Sequence, residues 1–242
     1  MKVSDKGLIE LVCSEGIVPY PYRDSVGVWT YGIGHTKAAG APDPAMMPKG
    51  VATSLKACIE LFRKDLAEYE AAVLKAVKVP LKQHEFDALV HWHYNTGAIS
   101  SATLTKRLNA GDRKAAAEQF LVWKKPPELI PRRQKERALF LNGTYSNNGN
   151  ALVYTADAKG NLGKATSQKV ADLLWLVPEA PANTYDAVPV ESLPKTPSNE
   201  PKAPSKGLDA ADAPAFIVRD EPIRPSIWAS LASLISYFFK GK

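Results

Sequence analysis

The sequence predicts an α+β protein: a capped helix, a short hairpin rich in aromatic and β-branched residues, then a run of amphipathic helices, all within residues 1–145. Ser4 can cap a first helix whose apolar positions Leu8, Leu11 and Val12 recur at three- and four-residue spacing, and Gly16 can close it in a left-handed conformation. Glu15 then falls in its last turn. The next segment carries Tyr, Val, Trp and Thr on either side of Asp24-Ser25-Val26-Gly27, a type I turn pattern with Asp first and Gly last. In the strand after the turn, Val28 and Thr30 point one way and Trp29 and Tyr31 the other. Residues 40–50 form a loop holding Pro42, Pro44 and Pro48. A long amphipathic helix follows, since Leu55, Cys58, Ile59, Phe62, Leu66, Tyr69, Val73 and Val77 keep one face before Pro80 stops it. Further helices are predicted over 81–94, 101–109, 113–123 and 131–141, ended by Gly97, Gly111, Pro126 and Gly143. The stripe Phe86, Leu89, Val90 and His93 reads as core.

Beyond residue 145 the pattern changes. Residues 146–177 predict a small appended segment, with a strand at 152–155, a turn at 157–161 and a short helix at 170–176. That turn lacks the acidic spacing of a calcium loop. From 178 to 225, 10 of 48 residues are proline among Ser, Lys, Asp and Glu, the composition of an extended linker. In 226–242 the residues Ile227, Trp228, Leu231, Leu234, Ile235, Phe238 and Phe239 follow helical spacing on one face. The 13 residues from Ile227 to Phe239 give roughly 20 Å at about 1.5 Å each, short of the roughly 30 Å of a bilayer core. The expectation is an amphipathic helix lying on a membrane surface, flanked by Arg224, Lys240 and Lys242; the competing reading folds it back on the domain of residues 1–145.

Length and composition agree with one substantial core plus an appendage: 242 residues, 45% of them hydrophobic. Residues 1–145 hold 21 Lys and Arg against 15 Asp and Glu, whereas 146–242 hold 10 of each, so the whole net charge of +6 belongs to the first part. Such a body is drawn to a polyanionic surface. The cluster Arg132-Arg133-Gln134-Lys135-Glu136-Arg137 has no nucleic-acid motif around it, so a nucleic-acid role is not expected. His35, His84, His91 and His93 show no metal-ligand spacing with each other or with cysteine, and neither a metal nor a cofactor is expected. Cys13 and Cys58 read as reduced core residues rather than a disulfide. Met1-Lys2-Val3-Ser4-Asp5 reaches charge at once, so no secretion signal is expected and the protein should accumulate in the cytoplasm where it is made.

The chemistry is carried by Glu15 and Asp24. Two carboxylates on different elements can flank one glycosidic bond, one protonating the leaving oxygen and the other activating water. A helix end disfavours the charged form of Glu15, as does burial in a cleft, which suits a general acid. Asp24, in a turn, is wetter, and the Thr30 hydroxyl can help hold a water that Asp24 also contacts. His35 reads as a structural hydrogen-bonding residue beside the site.

Glu15, Asp24 and Thr30, with Gly32-Ile33-Gly34-His35-Thr36 in register, resemble the phage-type lysozymes, or endolysins. The likeness covers residues 1 to about 145. It continues through Phe86-Asp87-Ala88-Leu89-Val90, Tyr94-Asn95-Thr96-Gly97 and Leu108-Asn109-Ala110-Gly111-Asp112 to the arginine-rich stretch 132–143. The resemblance implies a small sheet-bearing lobe joined by the long helix to a larger helical lobe. It also implies hydrolysis, with inversion, of the β-1,4 bond between N-acetylmuramic acid and N-acetylglucosamine in bacterial peptidoglycan. Glu15 matches the family's acid, Asp24 its second carboxylate and Thr30 its threonine, while Thr36, Tyr94 and Thr103 match glycan-contacting positions. Arg132, counted with that set, or else Arg133, matches the arginine paired with the glutamate. Such a pair opposes the helix-end effect, and the sequence leaves the sign of the Glu15 shift open. The resemblance further implies a monomer made in the host cytoplasm, released by a holin to act on the wall and lyse the host. A lytic transglycosylase of the same fold, or a silent wall-binding or virion protein, are the alternatives.

Overall fold

A computed structural model describes residues 1–174. The linker expected over 178–225, the helix expected over 226–242 and the end of the 146–177 segment lie outside the described residues. Helix α1 (Asp5–Glu15) begins where the Ser4 hydroxyl accepts the Gly7 N–H at 3.0 Å. It stops at Gly16, whose φ of 72° is positive as expected but whose ψ of 173° is extended rather than left-handed helical. The chain leaves the helix directly into pairing: Ile17 N–H donates to the Leu152 carbonyl and Tyr154 N–H to the Ile17 carbonyl, both at 2.8 Å.

Strands β1 (Val18–Arg23), β2 (Trp29–Gly32) and β3 (His35–Thr36) form an antiparallel sheet in that order. The predicted turn closes β1 and β2, with Gly27 N–H donating to the Asp24 carbonyl and Asp24 N–H to the Val28 carbonyl, each at 3.0 Å. Helix α2 (Leu55–Ala76) buries Cys58, Ile59, Phe62, Leu66, Tyr69 and Val73 along its predicted stripe and links this small lobe to a larger helical one. Helix α3 (Gln83–Thr96) is the centre of the latter, packed by α1, α2 and the later α6. Every residue from Glu85 to Tyr94 is buried, as a helix surrounded on all sides requires.

Helices α4 (Thr103–Asn109), α5 (Arg113–Glu118) and α6 (Ile130–Asn142) complete the lobe. The helix expected over 113–123 divides: α5 ends at Glu118 and Gln119–Val122 tightens into a 3₁₀ turn that sets Phe120 against Trp92 and Phe140. Both cysteines are free thiols, Cys58 buried and Cys13 half-buried.

After α6 the chain is fastened to the body by two buried carboxylates. Tyr145 donates its hydroxyl to Asp87 at 2.7 Å, and Asn147 N–H donates to Glu10 at 2.7 Å, joined there by the Ser146 hydroxyl at 3.1 Å. Strands β4 (Asn150–Ala156) and β5 (Leu162–Lys169) then form an antiparallel hairpin, followed by α7 (Ala171–Leu174). The strand predicted at 152–155 lies within β4. Its partner β5 was not expected, because every residue after Leu162 in it is exposed and no apolar alternation marks it. The hairpin is held through β4, whose Tyr154 and Ala156 share a small core with Val18 and Tyr22 of β1.

Candidate active site

Glu15 sits at the C-terminal end of α1 and is 1% exposed. Its Oε1 lies 2.6 Å from Arg132 Nη1, while Oε2 has no hydrogen-bond partner among the described residues. Arg132, not Arg133, is therefore the arginine paired with this glutamate. Burial pushes the Glu15 carboxyl above the usual glutamate range; the Arg132 cation pulls it back, and the nearby Glu136 carboxylate adds to the rise. The net direction is upward, which settles the sign that the sequence left open. A carboxyl that keeps its proton beyond the ordinary range is suited to donate it.

Arg132 is itself held by a carboxylate that sequence reading did not single out. Glu136, fully buried, accepts Arg132 Nε at 3.0 Å and Arg133 Nη1 at 2.5 Å. Arg133 also donates to the Trp123 carbonyl at 2.9 Å and to Asn95 Oδ1. The signal was present: an acid at i+4 and i+3 from two arginines on one helix lies within reach of both. His91, buried against this cluster, is pushed well below the usual histidine range by burial and by the two arginines.

The hairpin supplies the other residues. Tyr22 pairs with Thr30 across β1 and β2, and Thr30 pairs with Thr36 across β2 and β3. Directly opposed residues share a sheet face, so Tyr22, Thr30 and Thr36 form one cross-strand row. Thr30 is buried and donates its hydroxyl to the Val28 carbonyl at 3.2 Å; Thr36 is half-buried. Asp24, half-buried two residues past Tyr22, is oriented by its own turn, Oδ1 accepting Val26 N–H at 3.0 Å and Val28 N–H at 2.8 Å. Burial raises the Tyr22 phenol far above its ordinary range, and the negative charges of Asp24 and Glu15 raise it further. One phenol thus lies within electrostatic reach of both acids, a residue legible only as an inward strand position.

Tyr94 reaches the same place from α3. Its hydroxyl donates to the Ile33 carbonyl at 2.8 Å, and Glu15 and Tyr22 both raise its phenol after burial has done so. His35 is structural, as its sequence context suggests: Nδ1 lies 2.7 Å from Asp65 of α2 and Nε2 lies 2.8 Å from the Pro42 carbonyl. Thr103, in contrast, opens α4 with an exposed side chain, on a helix that packs on α5 and the following 3₁₀ turn. Among the described residues no group of three or more His, Cys, Asp and Glu is arranged to hold a metal ion.

A glutamate buried at a helix end, with an aspartate on the adjoining hairpin of a small sheet lobe, suits a lysozyme-like fold to glycosidase-type chemistry. Comparison with known proteins agrees. The Phage lysozyme family model matches residues 13–136, and the chain belongs to this family. It is 38% identical over 148 residues to an endolysin of Salmonella phage P22, an alignment covering 59% of this chain and 99% of that one. It is 37% identical over 137 residues to a SAR-endolysin of Escherichia phage Mu, covering 54% and 75%. Among solved structures, a P22 lysozyme mutant superposes with a TM-score of 0.54 at 36% identity, covering 59% of this chain and 99% of that chain. The muramidase domain of SpmX from Asticaccaulis excentricus superposes with a TM-score of 0.50 at 28% identity, covering 58% of this chain and 98% of that chain. No helix of the described residues is long and apolar enough to cross a membrane.

Proposed function

We propose that the protein hydrolyses the β-1,4 bond between N-acetylmuramic acid and N-acetylglucosamine in bacterial peptidoglycan, with inversion, and so lyses the host. Glu15 donates a proton to the leaving oxygen. Asp24 acts as base or electrostatic partner for the attacking water, which Thr30 helps to position, and Thr36, Tyr94 and Thr103 contact the glycan. The observation that carries the reading is the buried Glu15, raised above the glutamate range despite its ion pair with Arg132. Asp24 and Thr30 on one hairpin favour a water-using enzyme over a transglycosylase, which needs one acid and no water. Made inside the host, the enzyme reaches the wall once a holin opens the membrane, and it works as a monomer.

The test is product analysis. Wild-type digests should carry ordinary reducing ends, freshly formed in the inverted anomeric configuration. Glu15→Gln should lower the rate about 10²–10⁴-fold, because an amide cannot donate that proton. Anhydro ends would remove the hydrolytic roles of Asp24 and Thr30, and undiminished activity in Glu15→Gln would remove the mechanism.

A further inference from the structure

The family match ends at residue 136, ahead of the β4–β5 hairpin, yet this hairpin touches the loop that carries the proposed chemistry. Its turn is tightly built: Asp157 N–H donates to the Asn161 carbonyl and Gly160 N–H to the Asp157 carbonyl, both at 3.0 Å. The Asp157 carboxylate accepts the N–H groups of Lys159 at 2.8 Å and Asn161 at 2.9 Å, and the Asn161 side-chain amide at 2.8 Å. This turn delivers Gly160 to the catalytic hairpin. The Gly160 carbonyl accepts Arg23 N–H at 2.8 Å, and its Cα packs on the Trp29 ring so closely that a Cβ would lie 2.7 Å from it. Arg23 and Lys49 hold the same indole, their cationic groups 4.4 Å and 4.5 Å from the ring centroid.

Arg23 immediately precedes Asp24, and Trp29 immediately precedes Thr30. Residues 25–28 between them are all exposed, so little burial of their own holds the tip in place. We infer that the β4–β5 hairpin is a positioning brace for Asp24 and Thr30, with Gly160 as its point of contact. This rests on the site assignment made above and deepens it. A group that orients water must be held within about 0.5 Å of its working place, and an exposed hairpin tip does not achieve that alone. Gly160 is required twice over: its φ is +86°, which side-chain-bearing residues rarely adopt, and it leaves no room for a Cβ.

The experiment compares Gly160→Ala, Gly160→Val and Asp157→Ala in the full chain, with soluble uncross-linked peptidoglycan strands as substrate. Asp157 is exposed, so its replacement unties the turn without a clash. The brace predicts a kcat reduced about tenfold in Gly160→Ala and more in Gly160→Val, with KM changed less than about twofold, since a tenfold loss corresponds to a small displacement of the reacting geometry. Asp157→Ala should follow in the same direction. Hydrogen exchange at the Val26 and Val28 amides, which bond Asp24, should accelerate in each variant while the α3 amides stay protected. A hairpin that serves stability alone would lower Tm and leave kcat and these two amides unchanged in the folded protein, and that result overturns the inference. Glu15→Gln and Asp24→Asn are measured alongside. Retained activity in them overturns the site assignment and the brace with it, whereas their inactivity beside wild-type kcat in the Gly160 and Asp157 variants overturns the brace alone.

Discussion

Glu136→Gln offers the sharpest test of how the acid is tuned. Glu136 is the anion that two buried guanidinium groups share, and Arg132 bridges it to Glu15 with contacts of 3.0 Å and 2.6 Å. The two carboxylates therefore lie within about 8 Å of each other, and at an effective dielectric of about 20 their repulsion is about 2 kcal/mol. Removing the Glu136 charge lifts that repulsion and leaves both arginines to be neutralised by Glu15. The ionisation equilibrium of Glu15 should shift roughly 30-fold toward the carboxylate. Since Glu15, as the proposed acid, must carry its proton to work, the basic limb of the kcat/KM profile should move to lower pH and activity at neutral pH should fall. Breaking one partner of a buried ion cluster also costs about 3–5 kcal/mol. For a protein of this size that lowers Tm by roughly 6–20 °C. The assays are a pH–activity profile on solubilised wall and a thermal melt of the same sample. A basic limb that stays in place or moves upward would refute the electrostatic coupling, and an unchanged Tm would refute the buried network.

Glu15 links stability to pH. Its folded carboxyl is raised above the ordinary 4.5, so its favourable contribution is complete below that value and is lost as pH climbs through the folded value. The Tm of wild type minus that of Glu15→Gln should accordingly decline above roughly pH 4.5, and a difference that is flat or rising with pH contradicts the upward shift. Gly7→Ala should destabilise despite a helix-propensity gain of about 1 kcal/mol, by about 1–3 kcal/mol in chemical denaturation. The reason is that a Cβ there meets Asp87 Cγ at 2.5 Å, at the carboxylate that caps α1 through Ser4. Burial pushes the Cys13 thiol up to about 11 and raises Cys58 as well, so native protein should label slowly at Cys13 and hardly at Cys58 near pH 7, with activity indifferent to reductant. Rapid labelling of both thiols without denaturant would contradict this packing.

The features that sequence reading captured are local ones. Ser4 caps its helix, Asp24 and Gly27 close their turn, and the α2 stripe is buried, because each depends on residues a few positions apart. Glu15 at a helix end and Asp24 in a turn were legible for the same reason. The boundary of α5 was not, since Phe120 answers to Trp92 and Phe140, which lie far along the chain. Strand β5 was invisible because exposure on both faces erases the period-two signal that burial writes into a strand.

By itself, then, the sequence determined the α+β order of elements, the pair of acids and the turn that orients one of them. Tertiary structure decided what those acids experience. Whether Glu15 is raised or lowered is a contest between desolvation and the Arg132 cation, and only the fold shows that burial wins. The row of Tyr22, Thr30 and Thr36 exists only once strand register is set. The contact of Gly160 with Arg23 and Trp29 joins residues more than a hundred positions apart, and Glu10 and Asp87 fasten the chain at 145–147 so that this contact can form. Propensities and spacing act over a turn or two of chain, whereas desolvation and long-range packing depend on what the completed fold brings alongside each group.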